Sequence, residues 1–189
     1  MPKLWDETIE THRRAVREAV LETAMGLVEA HGLKAVTMSQ IAEASGIGRA
    51  TLYKYFPDVE AILLAWHQEK IVAHLTELVA VRDRVSGAAR QLEAVLTAYG
   101  FSSSGRHGAD VTALLHRDAH VAEAQGKLQS FLSEMIATGA ASGEIRDDVA
   151  PAELAGYCVS AMAAARGMTS HAAVHRLVGV VMAGLRPQR

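Results

Sequence analysis

Arg49, Thr51, Tyr53 and Lys54 bring a guanidinium, a hydroxyl, a phenol and an ammonium group onto a segment of about two helical turns. Polar and aromatic groups crowded on so short a rod suit entry into a nucleic-acid groove, where phosphates and base edges both accept hydrogen bonds. The other residues with chemistry to offer are histidines and a single cysteine. His116 with His120, and His171 with His175, are spaced i,i+4, which sets two imidazoles on one helical face and begins a metal site. Neither pair carries the glutamate of a zinc-protease helix, and the reading preferred for both is surface histidine. Cys158 lies in an apolar helical run and reads as a small buried hydrophobe. No nucleophile with base and orienter, glycine-rich phosphate loop or carboxylate pair is present. The chain is therefore expected to be no enzyme and to need no metal or cofactor.

The elements that hold the polar rod are legible from their ends. Thr37 can cap a helix while Gln40, three residues on, reaches back in a capping-box pattern. That helix starts at about Met38, turns Ile41 and Ala42 inward, and stops at Gly46, where a left-handed backbone costs glycine little. Ile47 plugs the turn. Arg49 to Phe56 then forms the second helix, ended by Pro57, with Leu52 and Phe56 four apart and facing inward. Upstream, Val16, Val20, Ala24, Leu27 and Val28 recur at helical spacing up to Gly32, which makes one long amphipathic helix to cover this pair. Residues 1–8 lack periodicity and are expected to form an arm outside it.

At these residues the chain resembles the TetR family of transcriptional regulators. Thr37-x-x-x-Ile41-Ala42, the Gly46 turn and Thr51-Leu-Tyr-Lys-Tyr-Phe56 follow one another in the family's register, and the likeness spans roughly residues 9–65. It implies an all-α chain with a three-helix DNA-binding head (residues 1–57) and a helical regulatory and dimerisation body (residues 58–189). It also implies that Thr37, Ser39, Gly48, Arg49, Ala50, Thr51, Tyr53, Lys54 and Tyr55 face DNA. Arg14 and Arg17, on the first long helix, read equally well as a solvated face paired with acids; the resemblance tips them towards phosphate. Two positions depart from the family: its usual serine cap is Gly48, and its usual phosphate-binding lysine is Val59. Both departures reduce anchoring on the DNA backbone.

Half of the 189 residues are hydrophobic, enough for a core without disulfides. The lone Cys158, the lack of a signal-peptide pattern and the lack of a long apolar run point to a cytoplasmic protein with no membrane partner. The net charge of −2 is not a basic footprint, and residues 1–70 hold eight Lys and Arg against ten Asp and Glu. DNA affinity must then come from local placement of charge.

Beyond Pro57, Asp58 can cap a helix carrying Ile62, Leu63, Trp66, Ile71, Leu75, Leu78 and Val79 to about Arg82. Further helices are expected at 88–101, 109–119, 121–141, 151–167 and 170–185, with breaks at Ser102–Gly108 and Ser142–Asp148. Pro151 suits a first helical turn. The last two helices are rich in small residues; burial inside the monomer and a dimer face fit them equally well. The resemblance implies a homodimer joined through Ala161, Ala164, Ala165, Val174, Val178 and Val181. Two recognition helices about 34 Å apart would then meet successive major grooves of a near-palindromic double-stranded operator. For a small-molecule effector, Trp66, Tyr99, Phe101, Leu115, Phe131, Met135, Tyr157 and Met162 offer an apolar lining. The reading is a ligand-responsive repressor. Its alternatives are a metal-binding protein or enzyme built on the histidine pairs, and a family member that has lost DNA binding.

Overall fold

A computed structural model of the chain describes residues 3–104 and 119–188, and among these every regular element is helical. In chain order they are α1 (Lys3–His31), α2 (Met38–Ser45), α3 (Arg49–Tyr55), α4 (Val59–Asp83), α5 (Ala88–Ser104), α6 (Ala119–Ala141), α7 (Pro151–Met162) and α8 (His171–Gly184), with 3-10 turns at Leu33–Ala35 and Ala163–Gly167. The described residues divide into two compact units, 3–70 and 71–188, and α4 contributes residues to each.

In the first unit α1 packs on α2, and α2 on α3. The long helix buries Val20, Leu21, Ala24, Met25 and Val28, the i, i+4, i+8 stripe and its flank, with Val16 and Leu27 at its half-buried edge. Met38, Ile41, Leu52, Phe56, Ile62 and Leu63 complete the core. At roughly 1.5–3 kcal/mol for each large apolar side chain withdrawn from water, this small set suffices to fix short helices that would not persist alone. The helix begins earlier than its periodicity indicates: the backbone of residues 3–8, expected as an arm, already belongs to α1. No glycine or proline interrupts it there, and each residue added to a nucleated helix gains a hydrogen bond.

The second unit buries Leu78, Leu92, Val95, Leu96, Leu132, Ile136, Ile145, Cys158, Met162, Val174, Val178 and Val181 in one cluster. Its helices pass closely at Gly100 of α5, where a Cβ would stand 2.5 Å from Val174 Cγ1 and 2.7 Å from Met162 Cε. One expected break needs correction. The break placed at Ser102 begins later, because α5 continues to Ser104 with Ser102 and Ser104 donating their hydroxyls to the carbonyls of Tyr99 and Phe101. The break at 142–148 is a stitched loop. Glu144 accepts from the amides of Ala88 and Ala89, both at 3.2 Å, and so caps α5. Arg146 grips Asp148 through two bonds of 2.8 and 2.7 Å and donates to the Gly184 carbonyl at the end of α8. The helix expected at 109–119 lies outside the described residues, save for Ala119.

Candidate nucleic-acid interface

Local chemistry sets the two short helices. The Thr37 hydroxyl accepts from the Gln40 amide at 3.3 Å, while Gln40 Oε1 accepts from the Thr37 amide and hydroxyl, each at 2.9 Å. The capping box is complete. Gly46 ends α2 at φ 70°, and the Ile47 amide returns to the Ala42 carbonyl at 3.0 Å. Gly48 starts α3 with backbone bonds from Thr51 and Leu52 and with no side-chain cap, as the glycine in place of a hydroxyl dictates. Asp58 Oδ1 accepts from the Ala61 amide at 2.8 Å, which opens α4 directly after the proline.

The frame sorts the side chains of α3. Leu52 is fully buried and Phe56 nearly so, whereas Arg49, Ala50, Thr51 and Lys54 are exposed and Tyr53 keeps 49% of its surface in solvent. Tyr55 is half-buried. Among the described residues Arg49, Tyr53 and Lys54 have no hydrogen bond or ion pair with the protein. A cation, a second cation and a phenol thus stand free on a rod narrow enough for a major groove, able to reach phosphate and base edges. Thr37 and Ser39 are exposed at the start of α2, but the Thr37 hydroxyl is committed to its cap. Val59 is half-buried and offers DNA no charge.

The arginines of α1 separate into distinct roles. Arg13 pairs with Glu10 at 3.2 Å, Arg14 is exposed with no partner among the described residues, and Arg17 reaches Glu69 of α4 at 3.0 Å. The Arg17 guanidinium also lies 5.1 Å from the centroid of the Phe56 ring. Sequence spacing anticipates the first pair and misses the other, which joins residues 52 apart.

Comparison with known families settles the lineage. The model of bacterial regulatory proteins of the tetR family matches residues 20–66, and that of the C-terminal domain of SbtR-like transcriptional regulators matches residues 60–187. The chain belongs to the TetR family. The α2–turn–α3 unit is accordingly this TetR-family regulator's helix-turn-helix DNA-binding module.

Solved structures repeat the fold. FadR from Bacillus subtilis in complex with stearoyl-CoA superposes with a TM-score of 0.72 at 16% identity, covering 89% of this chain and 99% of its own. A TetR/AcrR-family regulator from Thermobifida fusca gives 0.71 at 18%, with 90% and 98% covered. The fatty acid degradation regulator FadR from Bacillus halodurans gives 0.70 at 17%, with 92% and 97% covered. A search among curated proteins found no match.

The apolar residues expected to line one effector cavity are dispersed in the TetR-family chain. Trp66 belongs to the first unit, where its Nε1 donates to Glu22 at 3.3 Å. Met135 and Met162 are buried in the core of the second, Tyr99, Phe101 and Phe131 are partly buried against that core, and Tyr157 is exposed. Phe101 alone of these lines an open groove of about 510 Å³, with Arg90, Glu93 and His175 among its walls. Leu115 lies outside the described residues. An apolar residue at helical spacing signals burial, and burial alone does not separate a packed core from a cavity.

The face expected to join two copies also needs correction. Val174, Val178, Val181 and Ala165 are 0–1% exposed in the single chain and already occupy its core. Ala161 is half-buried, and only Ala164 of that set is exposed. The outer side of the same helices carries Tyr157 at 42% and Val180 at 66% exposure. A hydroxyl-bearing Tyr157 standing 3.2 Å from where a Gly184 Cβ would be puts these residues on one surface, since Gly184 follows Val180 by four.

The histidines fall in two groups. His171 and His175 both lean on the Phe101 ring, at centroid distances of 4.3 and 5.2 Å. His116 and the side chain of His120 lie outside the described residues. Among the described residues no group of three or more His, Cys, Asp or Glu converges to hold a metal. Cys158 is buried, and burial pushes its thiol up to about 12, far from a reactive thiolate. No described helix is long and apolar enough to cross a membrane.

Proposed function

We propose that this TetR-family regulator is a ligand-responsive repressor that binds a near-palindromic operator as a homodimer and releases it when a small, largely apolar effector binds. One observation carries the reading: Arg49, Tyr53 and Lys54 project from α3 with no protein partner among the described residues, while Leu52 and Phe56 lock the same helix to the core. Thr37, Ser39, Gly48, Ala50, Thr51 and Tyr55 are assigned to the same DNA-facing surface, and Arg14, exposed on α1 with no partner among the described residues, is assigned to a phosphate. Homodimerisation is assigned to the outer face of α7 and α8, with Tyr157 and Val180, and to Ala164 of the turn between them. An apolar effector accords with the hydrocarbon-rich interior of the second unit and with the stearoyl-CoA held by the FadR of Bacillus subtilis.

Release demands that the effector bind the DNA-incompetent state more tightly, and a hundred-fold preference corresponds to about 2.7 kcal/mol of coupling. A mobility-shift assay with duplexes from the neighbourhood of the encoding gene tests the reading. Binding lost in Arg49→Ala and Tyr53→Ala, with circular dichroism unchanged, supports it. A folded dimer that binds no fragment even at low salt overturns it.

A further inference from the structure

Arg17 makes two contacts at once. Its Nε lies 3.0 Å from Glu69 Oε1 on α4, and its guanidinium carbon sits 5.1 Å from the centroid of Phe56. Phe56 is the residue that closes α3: it is 3% exposed, and its amide donates to the Leu52 carbonyl at 3.0 Å. One planar cation therefore touches the exit of the recognition helix and a residue about three turns into α4 from a base on α1. A lysine would pair as a point charge, whereas a guanidinium can lie flat on a ring and donate from its edge.

A second bridge of opposite polarity stands beside it. Glu22 Oε1 accepts from Lys70 Nζ at 2.8 Å and from Trp66 Nε1 at 3.3 Å, and Lys70 lies 5.3 Å from the Trp66 centroid. Along α1 the charges run Arg17 then Glu22; along α4 they run Glu69 then Lys70. Sliding one helix against the other parts both pairs at once, so the two bridges favour one register. Exposed ion pairs alone contribute little. Here each cation also covers an aromatic face, which adds packing to charge.

We infer that Arg17 is a positioning residue for α3: it supports DNA binding through Phe56 and Glu69 and contacts no phosphate itself. This rests on the reading of α3 as the DNA-contacting helix. A guanidinium whose charge is already paired with a carboxylate and laid on a ring brings no uncompensated charge to arriving DNA, so it leaves no mark on the salt dependence of binding. Arg14, one turn earlier and without a partner among the described residues, is the arginine that does.

Fluorescence anisotropy with a duplex, repeated across salt concentrations, separates the two roles. Arg17→Ala is expected to weaken binding by roughly five- to ten-fold with the slope of log affinity against log salt unchanged. Glu69→Gln weakens it in the same direction, Arg17→Lys restores part of the affinity, and Arg14→Ala lowers the slope by about 0.9 for each copy of the chain, about 1.8 for the dimer. Loss of slope in Arg17→Ala, or a Glu69→Gln protein that binds tighter with a steeper slope, overturns the inference. Hydrogen exchange on the DNA-free protein gives a second reading: amides of Thr51 to Phe56 exchange several-fold faster in Arg17→Ala and Glu69→Gln, while those of Val95 and Leu96 do not move. Unchanged exchange at α3 also overturns it. Because that measurement needs no duplex, failure of the wild-type protein to bind DNA sinks the proposed function and leaves the positioning role decided on its own terms.

Discussion

Leu52 is withdrawn completely from solvent while Tyr53, its neighbour, keeps about half of its surface exposed. Two adjacent residues on one helical rod thus answer to different masters, the core and the ligand. Leu52→Ala should cost about 2–5 kcal/mol, because a cavity is left beneath a helix only seven residues long. Tyr53→Ala should change stability by no more than about 0.5 kcal/mol and weaken DNA binding sharply. Thermal melts paired with mobility shifts read both; a Tyr53→Ala protein that melts early would place the ring in the packing of the head.

Gly100 tests how closely α5 and α8 approach. An added methyl meets Val174 Cγ1 at 2.5 Å, and a β-branched side chain has little rotamer freedom with which to retreat. Gly100→Ala should therefore lose about 1–2 kcal/mol, the overpacking penalty outweighing the gain of up to about 1 kcal/mol in helix propensity. At Gly126 of α6 an added methyl would have no neighbour within 4 Å among the described residues, so Gly126→Ala should gain the propensity term unopposed. Denaturant midpoints that move the two variants the same way would contradict this account.

What was legible in the sequence is what acts over three or four residues. The Thr37–Gln40 box, the glycine at 46, the Asp58 cap and Pro151 at the start of α7 are each decided by chemistry within one helical turn. Bridges between distant residues leave no local trace. Glu144 caps a helix that begins 56 residues earlier, and Arg17 meets a carboxylate 52 residues later. The α7–α8 pair is read differently for another reason: small apolar residues lie on both its sides, Val180 exposed and Val178 buried, beside the few polar residues that face water. Pattern leaves both sides open, and the family resemblance then assigns Val174, Val178 and Val181 to a partner when the chain's own core has taken them.

Glu144 should make the second unit sensitive to acid. Hydrogen bonds from the Ala89 and Ala88 amides hold its carboxyl below the ordinary value of 4.5, so the folded state binds a proton less readily than the unfolded chain. A carboxylate with a lowered folded-state pKa stabilises fully above its unfolded pKa and loses that contribution as pH falls through the folded value. Asp148, held low by Arg146, acts in the same sense. The melting temperature of wild type should exceed that of Glu144→Gln at neutral pH, and the gap should narrow as pH falls below the ordinary value of 4.5. A gap that persists in acid would mean that the carboxylate charge is not what caps α5.

The assignment of the dimer face turns on Val178 and Val180, two residues apart on α8 and on opposite sides of it. Val178 is 1% exposed and Val180 is 66% exposed. If the outer face carries the contact between copies, Val180→Asp places a charge in an apolar interface and yields a folded monomer. Val178→Asp puts the same charge inside the second unit, where it should unfold that unit. Sedimentation equilibrium at micromolar concentration, with circular dichroism beside it, distinguishes the outcomes. A Val180→Asp protein that remains dimeric would exclude this face as the contact between copies.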